Sequence, residues 1–314
     1  MMSKIVFLVF MLLAALFSNA QKVVDVIDDH GFMGKIGLQG TSSLEPSIKK
    51  YLKPFNSNEI ESRWMLAEWG SKHDLLNAKA VINAGRDNVY YFNKSKGIYF
   101  KKDNYGTIIG LEILGSQEIE KARELNENFP GMLLGQGFNE PHRISDFQKL
   151  SLNLKTRLVY VENKMNRDEY NESLHTAQIT LYFSLGNVNK DSEGYGDYLW
   201  FGIPIYDFRY KDIGVSWMQD TGIEGATQKF IYVPAAKEFY KGSMHDKKWI
   251  SIKKVNILPY LEAAFMKAQE MGYLQTTGYK DLALTSTNFG WEMPGIFDAL
   301  YEFKDLRLLG VFHE

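Results

Sequence analysis

The sequence predicts an all-β protein, a two-sheet β-sandwich with one helix packed on its outer face. Three observations lead there. Short apolar runs, several alternating with period two, recur from Glu61 to the C-terminus, punctuated by Gly, Pro, Asn and Asp. Only one stretch spaces its apolar residues convincingly as a helix does. Neither a long internal repeat nor a strand–helix alternation is present, which argues against a propeller and against a parallel sheet.

The elements follow in order. Arg63 to Gly70 carries Trp64 and Trp69, five apart, which in a strand places them on opposite faces, one for the core and one for a surface. Asn88–Phe92 and Gly97–Lys101 form a hairpin around Asn93-Lys-Ser-Lys96, and Thr107–Leu114 is a further strand. Charged Gln117 to Asn128, with Ile119, Ala122 and Leu125, predicts a short exposed helix. Phe129 to Arg143, rich in Gly and Pro, predicts a loop. Strands are then expected at 150–161, 176–185, 197–206, 229–233 and 249–253. The helix follows, capped by Asn256 and ended at Gly272, with Leu258, Leu261, Ala264, Phe265 and Ala268 on one face. Strands at 282–291 and 300–311 close the chain.

Lys4, the apolar run Ile5 to Phe17 and the small residues of Ser18-Asn19-Ala20 are a secretory signal peptide, with cleavage expected after Ala20. The chain therefore divides into a signal (1–20), an N-terminal leader (21–60) of open role and a single sandwich domain (61–314). The product is expected to be secreted or periplasmic, with no membrane span after signal removal. Its 314 residues include no cysteine, so the core must hold the fold without disulfides. A net charge of −2 gives no global basic field for nucleic acid.

One stretch stands out, Leu284-Thr-Ser-Thr-Asn-Phe-Gly-Trp-Glu-Met-Pro-Gly295. A structural strand has little use for Glu292, whereas a sugar groove uses both a carboxylate and the apolar face of Trp291. Most glycoside hydrolases need two carboxyl groups, one protonated and one ionised. Glu292 and Asp197, each beside aromatics, are the candidate catalytic pair. Trp291, Trp200, Trp69 and Asn288 are the candidate substrate-binding residues, and Trp217 is a further aromatic to weigh. The polar loop Asn187-Val-Asn189-Lys-Asp191 departs from a calcium loop at its first and sixth positions. Six scattered histidines, and the absence of a phosphate loop or a dinucleotide fingerprint, predict no metal and no cofactor.

The C-terminal part, from about Thr176, resembles the family-12 glycoside hydrolases, jelly-roll endoglucanases of the concanavalin A-like group. The resemblance is one of layout: Trp249–Lys253, a helix containing Pro259-Tyr260-Leu261, Gly272-Tyr273-Leu274, the strand from Leu282, then Gly290-Trp291-Glu292. It implies that Glu292 is the acid/base. The family's nucleophile lies in Glu-x-Met-x-Trp, for which Asp197-Tyr-Leu-Trp-Phe201 is the nearest stretch, with aspartate for glutamate. After Glu292 the family has Pro-Phe where this chain has Met293-Pro294. Two readings of function follow: a retaining endo-acting hydrolase of β-glucan-type polysaccharide, or a binding protein for poly- or oligosaccharide on the same fold. A structural exported protein, with Trp291 in its core, is the third.

Overall fold

A computed structural model describes residues 21–41, 47–55, 61–83, 87–104, 106–223 and 225–313. The expected signal peptide, residues 1–20, lies outside the described residues. In chain order the strands are β1 (Val23–Asp25), β2 (Ile36–Gly40), β3 (Lys50–Leu52), β4 (Trp64–Ala67), β5 (Lys79–Ile82), β6 (Asn88–Phe92), β7 (Lys96–Asp103), β8 (Gly106–Leu114), β9 (Gly131–Arg143), β10 (Phe147–Asn163), β11 (Gln178–Asn187), β12 (Tyr198–Asp207), β13 (Ser216–Gln219), β14 (Phe230–Val233), β15 (Ile250–Asn256), β16 (Leu282–Glu292) and β17 (Phe297–Phe312). Helix α1 (Leu258–Glu270) lies between β15 and β16.

They form two sheets, as the sequence predicts. The back sheet runs β15-β10-β17-β8-β7-β6-β5, with β1 added against β17. The front sheet runs β13-β14-β12-β11-β16-β9-β4-β2-β3. Strand alternation builds the core. Ile179, Leu181 and Phe183 of β11, Leu199, Phe201 and Ile203 of β12, and Phe289 and Trp291 of β16 are all buried. They meet back-sheet residues such as Tyr301, whose ring lies 5.3 Å from Trp291 and 5.5 Å from Phe289. Each large apolar side chain so removed from water contributes roughly 1.5–3 kcal/mol. Helix α1 buries Leu261, Ala264, Phe265 and Ala268 and lies against β14 and β12.

Three details differ from the sequence reading. The described residues of the 21–60 segment join the sandwich instead of standing apart as a leader: β1 pairs with β17, β2 runs parallel to β4, and β3 edges the front sheet. Phe32 stacks on Trp64 at 4.6 Å, so this segment completes the core. The charged stretch predicted as a helix forms none: after a 3-10 turn at Gly115–Gln117 it runs as turns and bends, and Glu118 is drawn inward to accept from Lys72 N and Ser95 Oγ. The glycine-rich run after Phe129 is the long strand β9, paired along β16 and with β4. Of its glycines, Gly131 leaves space for the Trp69 ring, while a Cβ at Gly135 or Gly137 would meet no close contact. Asn256 stands at the start of α1, as the sequence predicts: its side chain accepts from Leu258 N at 3.4 Å, and also from Leu150 N at 3.0 Å, tying β15 to β10.

Candidate functional site

Period two decides what β16 offers to each side. Trp291 points between the sheets, is fully buried, and donates its indole N–H to Leu111 O of β8 at 2.9 Å. Glu292, the next residue, therefore points the other way, onto the outer face of the front sheet, together with Asn288. A cleft of about 440 Å³ lies over that face, within the range of ligand sites. Its floor includes Tyr182, Leu133, Ala67 and Asn288. One wall carries Trp69 and Phe129; the other is the loop between β13 and β14, with Asp220, Thr221 and Ala226. From β4 to β12 the floor spans four inter-strand spacings of about 4.8 Å, or roughly 20 Å, enough for several sugar rings.

Trp69 stands beside Glu292. Its indole lies over Gly131, the residue paired with Glu292 across β9 and β16, and a Cβ at Gly131 would collide with the ring. Phe129 meets the indole edge-on at 4.8 Å. The residue before Trp69 fixes this wall from below. Glu68 accepts from Leu75 N at 3.1 Å and faces Lys96 Nζ at 3.6 Å, with Glu118 3.5 Å from the same ammonium. Lys96 also donates to His73 O. All three charged side chains are buried, so two carboxylates share one cation. Burial raises the pKa of Glu68 to about 7 against the opposing pull of Lys96.

Trp200 lies toward the opposite end of the floor. It donates to Thr227 Oγ1 at 3.2 Å and meets Tyr182 edge-on at 6.1 Å. Thr227 in turn gives its N–H and hydroxyl to Asp220 Oδ2, at 2.8 and 2.6 Å. Asn288 Oδ1, at the floor, is shielded from water and has no hydrogen-bond partner among the described residues. Such an acceptor is rare in folded proteins and suits a ligand hydroxyl. No Lys, Arg or His occurs among the described residues lining the cleft.

Opposite Glu292 on β11 is Gln178, which donates Nε2–H to Glu292 Oε2 at 3.1 Å. Burial raises the pKa of Glu292 to about 6; the bond from Gln178 pulls it down and the charge of Asp220 pushes it up.

Of the candidates, Glu292, Trp69, Trp200 and Asn288 share this cleft. Trp291 and Asp197 do not. Trp291 is core because its side of β16 faces the back sheet. Asp197 takes the N–H of Asn187, the last residue of β11, on its main-chain carbonyl, whereas Glu292 is opposite Gln178, the first. Nine residues of strand, about 30 Å at 3.3 Å each, separate the two positions. A retaining pair requires about 5–5.5 Å. Asp197 is instead an ion-pair partner of Lys229 at 2.6 Å. Trp217 packs under Lys267 of α1, 4.4 Å from its ring, and is no part of the cleft. Asn187 and Asn189 spend their side-chain oxygens on the backbone N–H groups of Asn189 and Asp191. Sequence reading missed Gln178, Tyr182 and Asp220. The signal for the first two was present: Gln178-Ile-Thr-Leu-Tyr182 has the spacing of Glu-x-Met-x-Trp, with an amide in place of the carboxylate, on the strand that pairs with β16.

No known family profile matches the chain, and no curated protein matches it. Among solved structures it is similar to the endoglucanase Cel12A from Rhodothermus marinus, with 10% identity, 75% of this chain and 96% of that chain covered, and a TM-score of 0.36. It is similar to a family 12 xyloglucanase from Bacillus licheniformis, with 11% identity, coverage of 74% and 97%, and a TM-score of 0.38. The family 11 xylanase from Neocallimastix patriciarum aligns at 11% identity over 78% and 99%, with a TM-score of 0.35. This is a weak likeness of fold outline to concanavalin A-like jelly rolls; what the cleft does rests on its own residues.

Proposed function

We propose that the protein is exported and binds a neutral glycan strand across the front sheet. The carrying observation is the unpartnered Asn288 Oδ1 on the floor between two tryptophans. Trp69 and Trp200 supply the apolar faces on which sugar rings stack, while Asn288, Gln39, Thr41 and Glu292 supply hydrogen-bond partners for hydroxyls. The carboxylates Glu292 and Asp220, with no cation in the described lining, disfavour uronic or sulfated glycans. Export rests on the signal-like sequence of residues 1–20 alone. Among the described residues no helix is long and apolar enough to cross a membrane.

Titration calorimetry of the mature chain with mixed-linkage β-glucan, xyloglucan, xylan and polygalacturonate tests this reading. Binding of a neutral glycan is expected, weakened about tenfold or more by Trp69→Ala or Asn288→Leu. Binding of polygalacturonate alone, or of none of the four, would overturn it.

A further inference from the structure

We infer that the β15 edge of the back sheet docks an acidic polysaccharide, a second ligand apart from the glycan of the cleft. The chain there reads Lys247-Lys-Trp-Ile-Ser-Ile-Lys-Lys254, four lysines bracketing one tryptophan. β15 is an edge strand, with β10 as its neighbour in the back sheet, whereas the cleft lies on the front sheet. Lys247, Lys248, Lys253 and Lys254 are all exposed. Lys248 and Lys253 are five positions apart, about 16 Å along a strand, so the charge is spread along the edge.

The acids of this region are already matched. Asp246 pairs with Lys211, Glu162 with Lys164, Asp305 with Lys155, Glu302 with Arg157 and Asp103 with Lys304. The four lysines have no ion-pair partner among the described residues. Arg157 and Lys304 lie over the Trp249 ring, at 4.9 and 5.5 Å from its centre, and carry the positive field from the edge onto the sheet. A polymer with anionic groups at intervals complements such a row. Grooves for single-stranded nucleic acid add aromatic rings on which bases stack. The one ring in this run already faces two cations, which favours an acidic polysaccharide.

The backbone gives an independent reason to look outside the fold for the use of two of these lysines. Lys247 ends the 3-10 turn Met244–Asp246 in the left-handed region, at φ 53° and ψ 26°. Lys254 has a φ of 51°. It belongs to a bulge: between the pairs Leu152–Val255 and Leu154–Ile252, Asn153 alone is opposed by both Lys253 and Lys254. The Lys254 N–H donates to Asn153 Oδ1 at 3.1 Å. Glycine or asparagine is the residue that such positions favour. Lysine held where glycine would relieve strain points to a task for the side chain beyond folding.

The test is microscale thermophoresis of the mature chain with polygalacturonate at about 50 and 300 mM salt, with dextran as the uncharged control and duplex DNA as the other polyanion. Polygalacturonate is expected to bind, and more weakly at the higher salt, while dextran does not bind at this edge. The double variant Lys247→Gly/Lys254→Gly should melt at or above the wild-type temperature yet bind polygalacturonate about fivefold more weakly or worse. Lys247→Arg/Lys254→Arg should bind as wild type does. Trp69→Ala, in the cleft, should leave polygalacturonate binding unchanged. No salt-sensitive binding of polygalacturonate, tighter binding of DNA, or a glycine double variant that binds as wild type or melts below it overturns the inference and leaves the cleft a glycan site. Loss of polygalacturonate binding in Trp69→Ala would put that polymer in the cleft and overturn both proposals.

Discussion

Gln178 donates its side-chain amide to Glu292 across a directly opposed pair of strands, 3.1 Å between the heavy atoms. Opposed side chains in an antiparallel pair start about 4.5–5.5 Å apart at Cβ. A carboxylate at position 178 would therefore stand at the separation of a retaining pair. Gln178→Glu replaces a hydrogen-bond donor, which lowers the pKa of Glu292, with a like charge, which raises it. The apparent pKa of the pair is expected to climb above the value of about 6 held by Glu292 now. Carboxyl-carbon NMR titration of the two proteins measures this. A lower or unchanged value would mean that the two side chains do not face each other.

Glu292 also links stability to pH. Its pKa in the fold, about 6, is above its ordinary value of 4.5, so the fold disfavours the ionised form. At pH 4 and below, the group is protonated in both states and costs nothing. As pH rises through 4.5 toward 6 the unfolded chain ionises first, and stability falls by about 2 kcal/mol, then levels off. Glu292→Gln removes that dependence. The variant's stability relative to wild type should rise by about 2 kcal/mol between pH 4 and pH 7.5 in urea unfolding. The same difference at both pH values would show that Glu292 is solvated like an ordinary surface carboxylate.

The sandwich and one working stretch were legible in the sequence because both depend on period two. Alternation marked the first half of the strand from Leu150, now β10, and the same rule, applied to Trp291 and Glu292, sends them to opposite faces. Taking both as site residues overlooked that rule, whereas applying it to Trp64 and Trp69 assigned one to the core and one to a surface. Asp197 could not be judged from sequence, because its distance from Glu292 depends on which ends of β11 they adjoin, a matter of register. Asp220 lies in a loop whose approach to the cleft no periodicity encodes. Gly131 read as a loop breaker because its purpose, a seat for the Trp69 indole, belongs to tertiary packing.

The buried charges under Trp69 make that wall sensitive to a distant residue. Lys96 on β7 is the only cation paired with buried Glu68 and Glu118 among the described ion pairs. Lys96→Met leaves two carboxylates buried without it, and removing one partner of a buried ion pair typically costs about 3–5 kcal/mol. The variant should lose stability on that scale and bind glycan more weakly, since Glu68 anchors the turn that carries Trp69. Pairing Lys96→Met with Glu68→Gln should recover part of the stability by removing one orphaned charge. A double variant no more stable than the single one would mean that Lys96 acts through packing of its stem and not through its charge.

The N-terminal segment gives a sharper test of what belongs to the fold. Phe32 is buried, stacked on Trp64 at 4.6 Å and set edge-on to Phe303 of β17 at 5.5 Å. It thus bridges the strand that leads to Trp69 and a central strand of the back sheet, and Trp64 itself donates to Asp29 O at 3.1 Å. Phe32→Ala should cost about 3–5 kcal/mol, as other large-to-small changes in cores do. Deleting residues 21–60 would strip β1 from β17 and β2 from β4, exposing the edge of β4 and the face of Trp64. The truncated chain is therefore expected to lose its cooperative unfolding transition, read by near-ultraviolet circular dichroism. A truncated protein that melts cooperatively near the wild-type temperature would show that the sandwich begins at residue 61 after all.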